Sequence, residues 1–381
     1  MKVEKQYKVL HIFSGFGGGI SSLILNLVSN KSENFIFDTM AFSYKNGEHF
    51  IEAVHKHGGE SFTMPRPRIE GFQKFYSYVN EVIKNGKYDG IHCHIAGWMC
   101  LPFKIAASRT GVKTFIIHAH TTRYDSRIDR IPLINAIDKV INYYSATQYM
   151  QCGKLAGKYI FGNYFLNKKA VELIPNGIQK EKFLKEINND EIERYNQEFN
   201  INDGVKIISH VGRFTIAKNH DFILDIANHI KNQKLDYVIL LIGDGERFSE
   251  INEKAKNMNL NNQIRFLGRR NDISKILQYS DYVILPSINE GLPTVAIECQ
   301  AAGTPILVSN TVTSECDMGL GLIEFISIDE SSAWIKRIIE EKVNKLPIQY
   351  CLNHIESVGF TESTIGKKYC KTLETYIKQE S

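Results

Sequence analysis

The stretch Asp281–Val308, DYVILPSINEGLPTVAIECQAAGTPILV, decides how the rest of the chain is read. Its apolar run Tyr282–Leu285, closed by Pro286, has the length and composition of a buried strand. A polar loop follows at Ser287–Leu292. Pro293 then suits the start of a helix, where its missing N–H is one that the first turn leaves unpaired. The helix runs through Ala301–Ala302 and stops at Gly303, before a second strand at Pro305–Val308. Two acids mark this unit, Glu290 in the loop and Glu298 in the helix. The free N–H groups of the first turn lie beside Glu290, so the loop presents donors and a carboxylate to one polar ligand. Glu298 lies further along, within reach of another part of it. A long ligand with hydroxyls at both ends and negative charge between suits this layout, whereas an ordinary strand–loop–helix with two solvated acids is the plain alternative. A glycosidase pair does not fit. Helical steps of about 1.5 Å separate the two acids by roughly 12 Å, and hydrolases need about 5–9.5 Å.

Upstream of this stretch the same alternation recurs. Strands are expected at Lys206–Val211, Tyr237–Ile242 and Ile264–Leu267, with helices at His220–Ile230, Glu246–Asn257 and Asp272–Leu277. The first half repeats the pattern with strands Lys8–Phe13, Phe35–Phe42, Gly90–His94 and Lys113–His118, and helices Ile20–Ser29, Gly71–Lys84, Met99–Ser108 and Ile134–Val140. Alternation of this kind predicts an α/β fold of two doubly wound, Rossmann-like domains in tandem. The pattern pauses at VELIPNGI, Val171–Ile178, which places domains over residues 1–176 and 177–360. Glu181–Asn202 reads as a polar surface stretch. Ligands of such sheets bind at the C-terminal ends of the strands, and each candidate site below falls at one.

With 381 residues, two domains are expected. Charge is uneven: residues 1–176 carry 22 Lys+Arg against 13 Asp+Glu, and residues 177–381 carry 24 against 29. The basic first half suits an anionic partner or membrane surface, or simply scattered solubilising lysines. Seven cysteines without a C-x-x-C point to reduced thiols and a cytoplasmic location. Val9–Val28 lacks charge, but His11 and the glycines Gly15, Gly17, Gly18 and Gly19 break it, so neither a membrane span nor a signal peptide is expected.

Gly17-Gly18-Gly19 joins the first strand to the first helix, where backbone can approach a diphosphate. The spacing does not satisfy G-x-G-x-x-G, which argues against a dinucleotide-dependent dehydrogenase. Arg213 and Lys218 follow the first strand of the second half and can clamp a diphosphate, one as a fork and one as a point charge. His118 and His120 share one face of a strand, as do His92 and His94. No carboxylate or cysteine pattern of a metal site accompanies them, so no metal is expected. A histidine at the strand tip suits substrate contact or proton handling, and His92 and His94 suit packing. Arg123, Arg127 and Arg130, interleaved with Asp125 and Asp129, and the pair Arg66 and Arg68 suit a phosphate-bearing acceptor or lipid head groups. Nucleic acid is not expected, for want of a recognition motif.

Taken together, these residues resemble the retaining family-4 glycosyltransferases of the GT-B fold over nearly the whole chain. FGGGISSLILNLV is similar to the family's glycine loop, KYDGIHCH to its fourth-strand signature and VELIPNGI to its interdomain segment. VGRFTIAKNH, LIGDGE, IRFLGRRNDI and PSINEGLPTVAIECQAAGTPIL are similar to its donor-binding domain. The resemblance implies that Arg213 and Lys218 bind the donor diphosphate, helped by backbone at Gly18 and Gly19, and that Glu298 holds the ribose. It implies that Glu290 and the amides of Gly291, Leu292, Pro293 and Thr294 hold the sugar. The resemblance places Arg270 and Asp272 in the loop that contacts the base, acting partly through backbone, and His120 near the donor sugar. It returns a last helix, within 361–381, to the first domain. Ser21 departs from the Glu that many relatives carry, and Gln179 from an Asp.

The implied activity is metal-independent glycosyl transfer with retention from a nucleotide sugar, UDP-linked by the nature of such enzymes, without a cofactor. The segment SIDESSAWIKRI resembles bacterial exopolysaccharide and capsule enzymes, which implies an undecaprenyl-diphosphate-linked saccharide acceptor at the inner membrane face. A UDP-sugar 2-epimerase of the same fold and a non-catalytic nucleotide-sugar binding protein are the alternatives.

Overall fold

The computed structural model describes residues 5–120, 132–340 and 344–380. The chain divides into two compact units, one of residues 1–177 with 360–381 and one of 178–359. Each is a parallel sheet clothed by helices. The first sheet is built from β1 (Tyr7–Phe13), β2 (Phe35–Ala41), β3 (Ser61–Thr63), β4 (Gly90–Cys93), β5 (Thr114–Ala119), β6 (Gln148–Gln151) and β7 (Glu172–Leu173), in the order β3-β2-β1-β4-β5-β6-β7. The second contains β8 (Lys206–Val211), β9 (Tyr237–Ile242), β10 (Ile264–Gly268), β11 (Tyr282–Leu285), β12 (Ile306–Ser309) and β13 (Ile323–Ile326), in the order β10-β9-β8-β11-β12-β13. Parallel strands need crossover helices on both faces, which is why their residues are apolar on both sides: β11 is buried throughout, and so is β5.

In both sheets the strand order reverses once, between β1 and β4 and between β8 and β11. Successive crossovers leave in opposite directions there, opening a crevice at the carboxyl ends of the two strands. The register of β1 on β4 sets His11 opposite His92.

The helix after β11 spans Thr294–Ala301, with Pro293 as its N-cap at φ −75°, ψ 105°. It therefore starts one residue later than the proline itself, because Pro293 stays extended while its carbonyl accepts from Ala296 N–H at 3.1 Å. Gly303 ends the turn at φ 70°, and a Cβ there would stand 2.1 Å from the Leu346 carbonyl oxygen, so only glycine fits.

The polar stretch after the junction is not simply surface loop. Asn188 and Glu191 form a reciprocal capping box that starts a helix at Asn189–Glu198, and this helix buries Tyr195. The last helix, Glu362–Glu380, packs on the helix Gly19–Ser29 and places Tyr369, Leu373 and Ile377 in the core of the first unit.

Candidate active site

In the second unit the loops after β8 and β11 meet at the crevice. Phe214, fully buried, anchors the first loop: its N–H donates to the Asp244 carbonyl at 2.8 Å and its ring stacks on His220 at 4.0 Å. A single 3-10 turn, Ile216–Lys218, then leads through Asn219, left-handed at φ 56°, into the helix His220–Asn232. The Ile288 N–H donates to the Ala217 carbonyl at 2.8 Å and ties the two loops.

This frame sets Lys218 Nζ 2.5 Å from Glu290 Oε1, which also accepts from Ser287 Oγ at 2.9 Å. Both charged side chains are less than a fifth exposed (18% and 17%), so the pair is screened by solvent far less than a surface ion pair. The structure thus brings together one predicted cation and one predicted acid across the switch point. It does not bring Arg213 to them. That guanidinium is 67% exposed, and its described ion pair is a loose one of 3.7 Å with Glu246.

Glu298 sits half-buried on a helix whose other inward residues are Val295, Ala296, Ile297, Cys299, Gln300 and Ala301. Burial raises its carboxyl above the usual range, and the nearby Lys182 charge works against that rise. Gly291, Leu292 and Thr294 are partly accessible around the helix start, whereas Pro293 is buried.

The side chains of Arg270 and Asp272 are engaged within the second unit. Arg270 Nε and Nη2 donate to the two Asp272 oxygens at 2.9 and 2.7 Å, and Nη1 donates to Glu198. Tyr195 Oη donates to the same Asp272 at 2.7 Å. The two side chains brace the helix Asn189–Glu198 against the helix Ile273–Tyr279, which leaves the backbone of this loop for a ligand.

In the first unit, Gly17 and Gly18 take φ 113° and 98°, values that a side-chain-bearing residue rarely adopts. Ser21, the departure noted above, is buried beneath them: its Oγ accepts from Gly17 N–H at 3.1 Å and donates to the Gly18 carbonyl at 3.0 Å. Asn176 Nδ2 donates to the Gly19 carbonyl at 3.1 Å. The loop is therefore locked from both sides by neutral groups.

Beside it lies a cluster of five histidines, His11, His92, His94, His118 and His120. His94 Nδ1 is 2.7 Å from His120 Nε2 and its Nε2 is 3.2 Å from His11 Nδ1. His92 Nε2 is 3.1 Å from His118 Nδ1. Tyr369 Oη, from the last helix, stands 2.5 Å from His92 Nδ1 and 3.4 Å from His11 Nε2. Burial drives His11 and His120 down to about 3, and burial with the repulsion of neighbouring rings holds His92, His94 and His118 well below the ordinary histidine value. All five are neutral at physiological pH. The nitrogens of His11, His92 and His94, and of His94, His118 and His120, lie within 4.8 Å of one another. Within these groups the rings are tilted or stacked, His11 to His92 by 44° and His94 to His120 by 30°, and His94 pairs with His11 and with His120 through facing ring nitrogens.

Arg66 and Arg68 are exposed on a short helical turn, and Arg123, Arg127 and Arg130 lie outside the described residues. His11 and Tyr369 were missed in the sequence. His11 carried a signal, since H-x-H on two later strands invites a search for a third, but nothing local marks Tyr369.

A family profile described as glycosyl transferases group 1 matches residues 191–318, which contain Arg213, Lys218, Glu290 and Glu298. Over 346 residues the chain is 32% identical to EpsF of Bacillus subtilis (strain 168), named as a glycosyltransferase, with 88% of each chain covered. This chain belongs to the group 1 glycosyltransferases. It is also 29% identical over 307 residues to the UDP-Gal:alpha-D-GlcNAc-diphosphoundecaprenol alpha-1,3-galactosyltransferase of Escherichia coli, covering 78% of this chain and 77% of that one. CapH of Staphylococcus aureus, a capsular polysaccharide biosynthesis glycosyltransferase, is 26% identical over 313 residues (80% and 81% covered). The fold matches that of Anabaena HepE, solved in complex with UDP and glucose, at a TM-score of 0.77 with 17% identity over 97% of this chain and all of that one. As a group 1 glycosyltransferase of GT-B type, the chain has the two Rossmann-like sheets that its sequence implies.

Proposed function

We propose that this glycosyltransferase transfers a hexose or N-acetylhexosamine, with retention, from a UDP-sugar to a lipid-diphosphate-linked saccharide in bacterial surface polysaccharide synthesis. The observation that carries the reading is the Lys218–Glu290 pair across the β8/β11 crevice. Lys218 and Arg213 receive the charge that develops on the leaving diphosphate and stabilise it more in the transition state than in the ground state. Gly18 and Gly19, in the first unit, offer backbone to phosphate. Glu290, with the backbone from Gly291 to Thr294, holds the sugar, and Glu298 holds the ribose hydroxyls. His120 contacts the donor sugar. The acceptor hydroxyl attacks the face that the diphosphate leaves, with no metal taking part. The E. coli relative, named for a diphosphoundecaprenol-linked acceptor, supports the acceptor class.

An exposed surface of the first unit supports action at the inner face of a membrane. Among the described residues no helix is long and apolar enough to cross one. The helix Pro132–Ser145 nevertheless buries Asn142 and Ser145 while exposing Leu133, Ile137, Val140 and Tyr144 along one face. Trp98 and Met99 are exposed on the adjoining 3-10 turn, which is fixed to this helix by the Trp98 N–H donating to Asp138 at 2.9 Å. Lys168 over Tyr164, and Lys169 over Tyr143, add positive charge nearby. An apolar stripe with interfacial aromatics and lysines suits an anionic bilayer surface.

A donor screen by UDP and GDP release, with the anomeric configuration of the product read by NMR, tests the reaction. UDP release with an α-linked product from an α-linked donor is expected, and inversion or GDP preference contradicts it.

A further inference from the structure

We propose that Tyr369 is a positioning residue, the centre of a single directional hydrogen-bond chain through five histidines that fixes His120 as its Nε2–H tautomer and leaves Nδ1 as an acceptor for a substrate hydroxyl. The part played by the hydroxyl rests on the glycosyl-transfer reading; the chain itself does not.

The direction follows from the contacts. Every internal link joins one nitrogen to one nitrogen or to the phenol oxygen, and a neutral imidazole has one donor and one acceptor. Fixing one proton therefore fixes all of them. The 2.5 Å contact between Tyr369 Oη and His92 Nδ1 lies in the range of O–H donation and below that of N–H donation, so the phenol donates to His92. His92 Nε2–H then donates to His118 Nδ1. At the far end this direction puts the proton on His118 Nε2, a buried nitrogen with no hydrogen-bond partner among the described residues, at a cost that the backbone near Ile174 and Gln151, which favours a protonated ring, partly offsets.

On the other arm the phenol oxygen, having given its proton to His92, accepts from His11 Nε2–H at 3.4 Å. His11 Nδ1 then accepts from His94 Nε2–H at 3.2 Å, and His94 Nδ1 accepts from His120 Nε2–H at 2.7 Å. His120 Nδ1 is left with its lone pair. His120 follows β5 directly, at the carboxyl end of the sheet where ligands of this fold class bind. The chain crosses four elements, β1, β4, β5 and the last helix, and Tyr369 alone joins its two arms.

The Tyr369→Phe variant keeps the ring, which packs on His92 and Phe37, but removes both the donor and the acceptor. Long-range proton–nitrogen correlation spectra of the full chain labelled in histidine report each ring's tautomer. In the unsubstituted protein His120 is expected to be protonated at Nε2 and bare at Nδ1 between pH 6 and 8. In Tyr369→Phe its two nitrogens are expected to move toward averaged values, and the KM for the sugar donor to rise severalfold with thermal stability little changed. Removing Nδ1 itself in His120→Phe should raise KM at least as much, and Tyr369→Phe should add nothing to it.

A proton on His120 Nδ1 in the unsubstituted protein overturns the proposal, and that spectrum needs neither substrate nor a folded variant. So does an unchanged His120 spectrum in Tyr369→Phe, or a stoichiometric transition metal bound to the purified chain. If no sugar donor is turned over but the tautomer pattern appears, the chain stands and the glycosyl-transfer reading falls.

Discussion

The crevice ends of the two sheets are built from opposite materials. In the second unit charges meet, Lys218 on Glu290 with Arg213 and Glu298 in the same unit. In the first unit the corresponding end carries four buried histidines, the partly accessible His120 and a tyrosine, hydrogen-bonded to one another. The same topology thus supports two kinds of polar surface. Charge that has to respond to a diphosphate is kept partly wet and balanced by one counter-ion, where its interaction is strong but its desolvation modest. Groups that only have to point in a fixed direction are buried, where hydrogen bonds between neutral rings hold them without titrating.

The largest expected effect falls on the charged end. Lys218→Ala and Arg213→Ala should each lower kcat/KM by about 10²-fold or more, the size seen when a donor to developing charge is lost. A loss below about threefold would show that the phosphates lie elsewhere. Next, Glu298→Gln should raise the donor KM by about 10-fold, since hydrogen bonds to a charged group are worth about 1.5–3 kcal/mol; isothermal titration with UDP checks it.

Acid should attack the neutral end. His11 and His120 have folded values near 3 against an unfolded 6.5, so below pH 6.5 the unfolded chain takes up protons that the folded one refuses. Stability is therefore fully present above pH 6.5 and is lost as pH falls toward 3, at up to about 1.4 kcal/mol per pH unit for each such histidine. His210 and His220 are lowered in the second unit as well, but they are two against five. Thermal melts should show Tm falling from pH 6.5 to 4, and hydrogen exchange should show amides of β1, β4 and β5 opening before those of β8 and β11. The smallest effect concerns the outer face of the first unit. Leu133→Ser with Ile137→Ser should lower sedimentation with anionic vesicles severalfold at low salt and leave kcat on a soluble acceptor unchanged.

What the sequence revealed follows the same division. The β11–loop–helix unit was legible because its signals are local: an apolar run, a proline, a glycine stop and two acids within one short stretch. The pairing of Lys218 with Glu290 could be argued because strand ends collect at the crevice. The histidine network was only half legible. His92, His94, His118 and His120 announce a shared face by their spacing, but joining them to His11 and Tyr369 requires the strand order and the return of the last helix. The helix expected at Ile134–Val140 is present as Pro132–Ser145, but its exposed face was not legible, since periodicity finds an apolar face and not the side on which it lies. Arg270 and Asp272 were read for their position in the loop, whereas their side chains are engaged by Glu198 and Tyr195, more than seventy residues away. The capping box at Asn188 and Glu191 was visible and was hidden only by the polarity around it.

A crystal of the protein soaked with UDP tests the central claim most directly. The account predicts the diphosphate within hydrogen-bond reach of Lys218 and Arg213 and the ribose hydroxyls on Glu298. Nucleotide density bound away from the helix Thr294–Ala301, with the Lys218–Glu290 pair untouched, would contradict it.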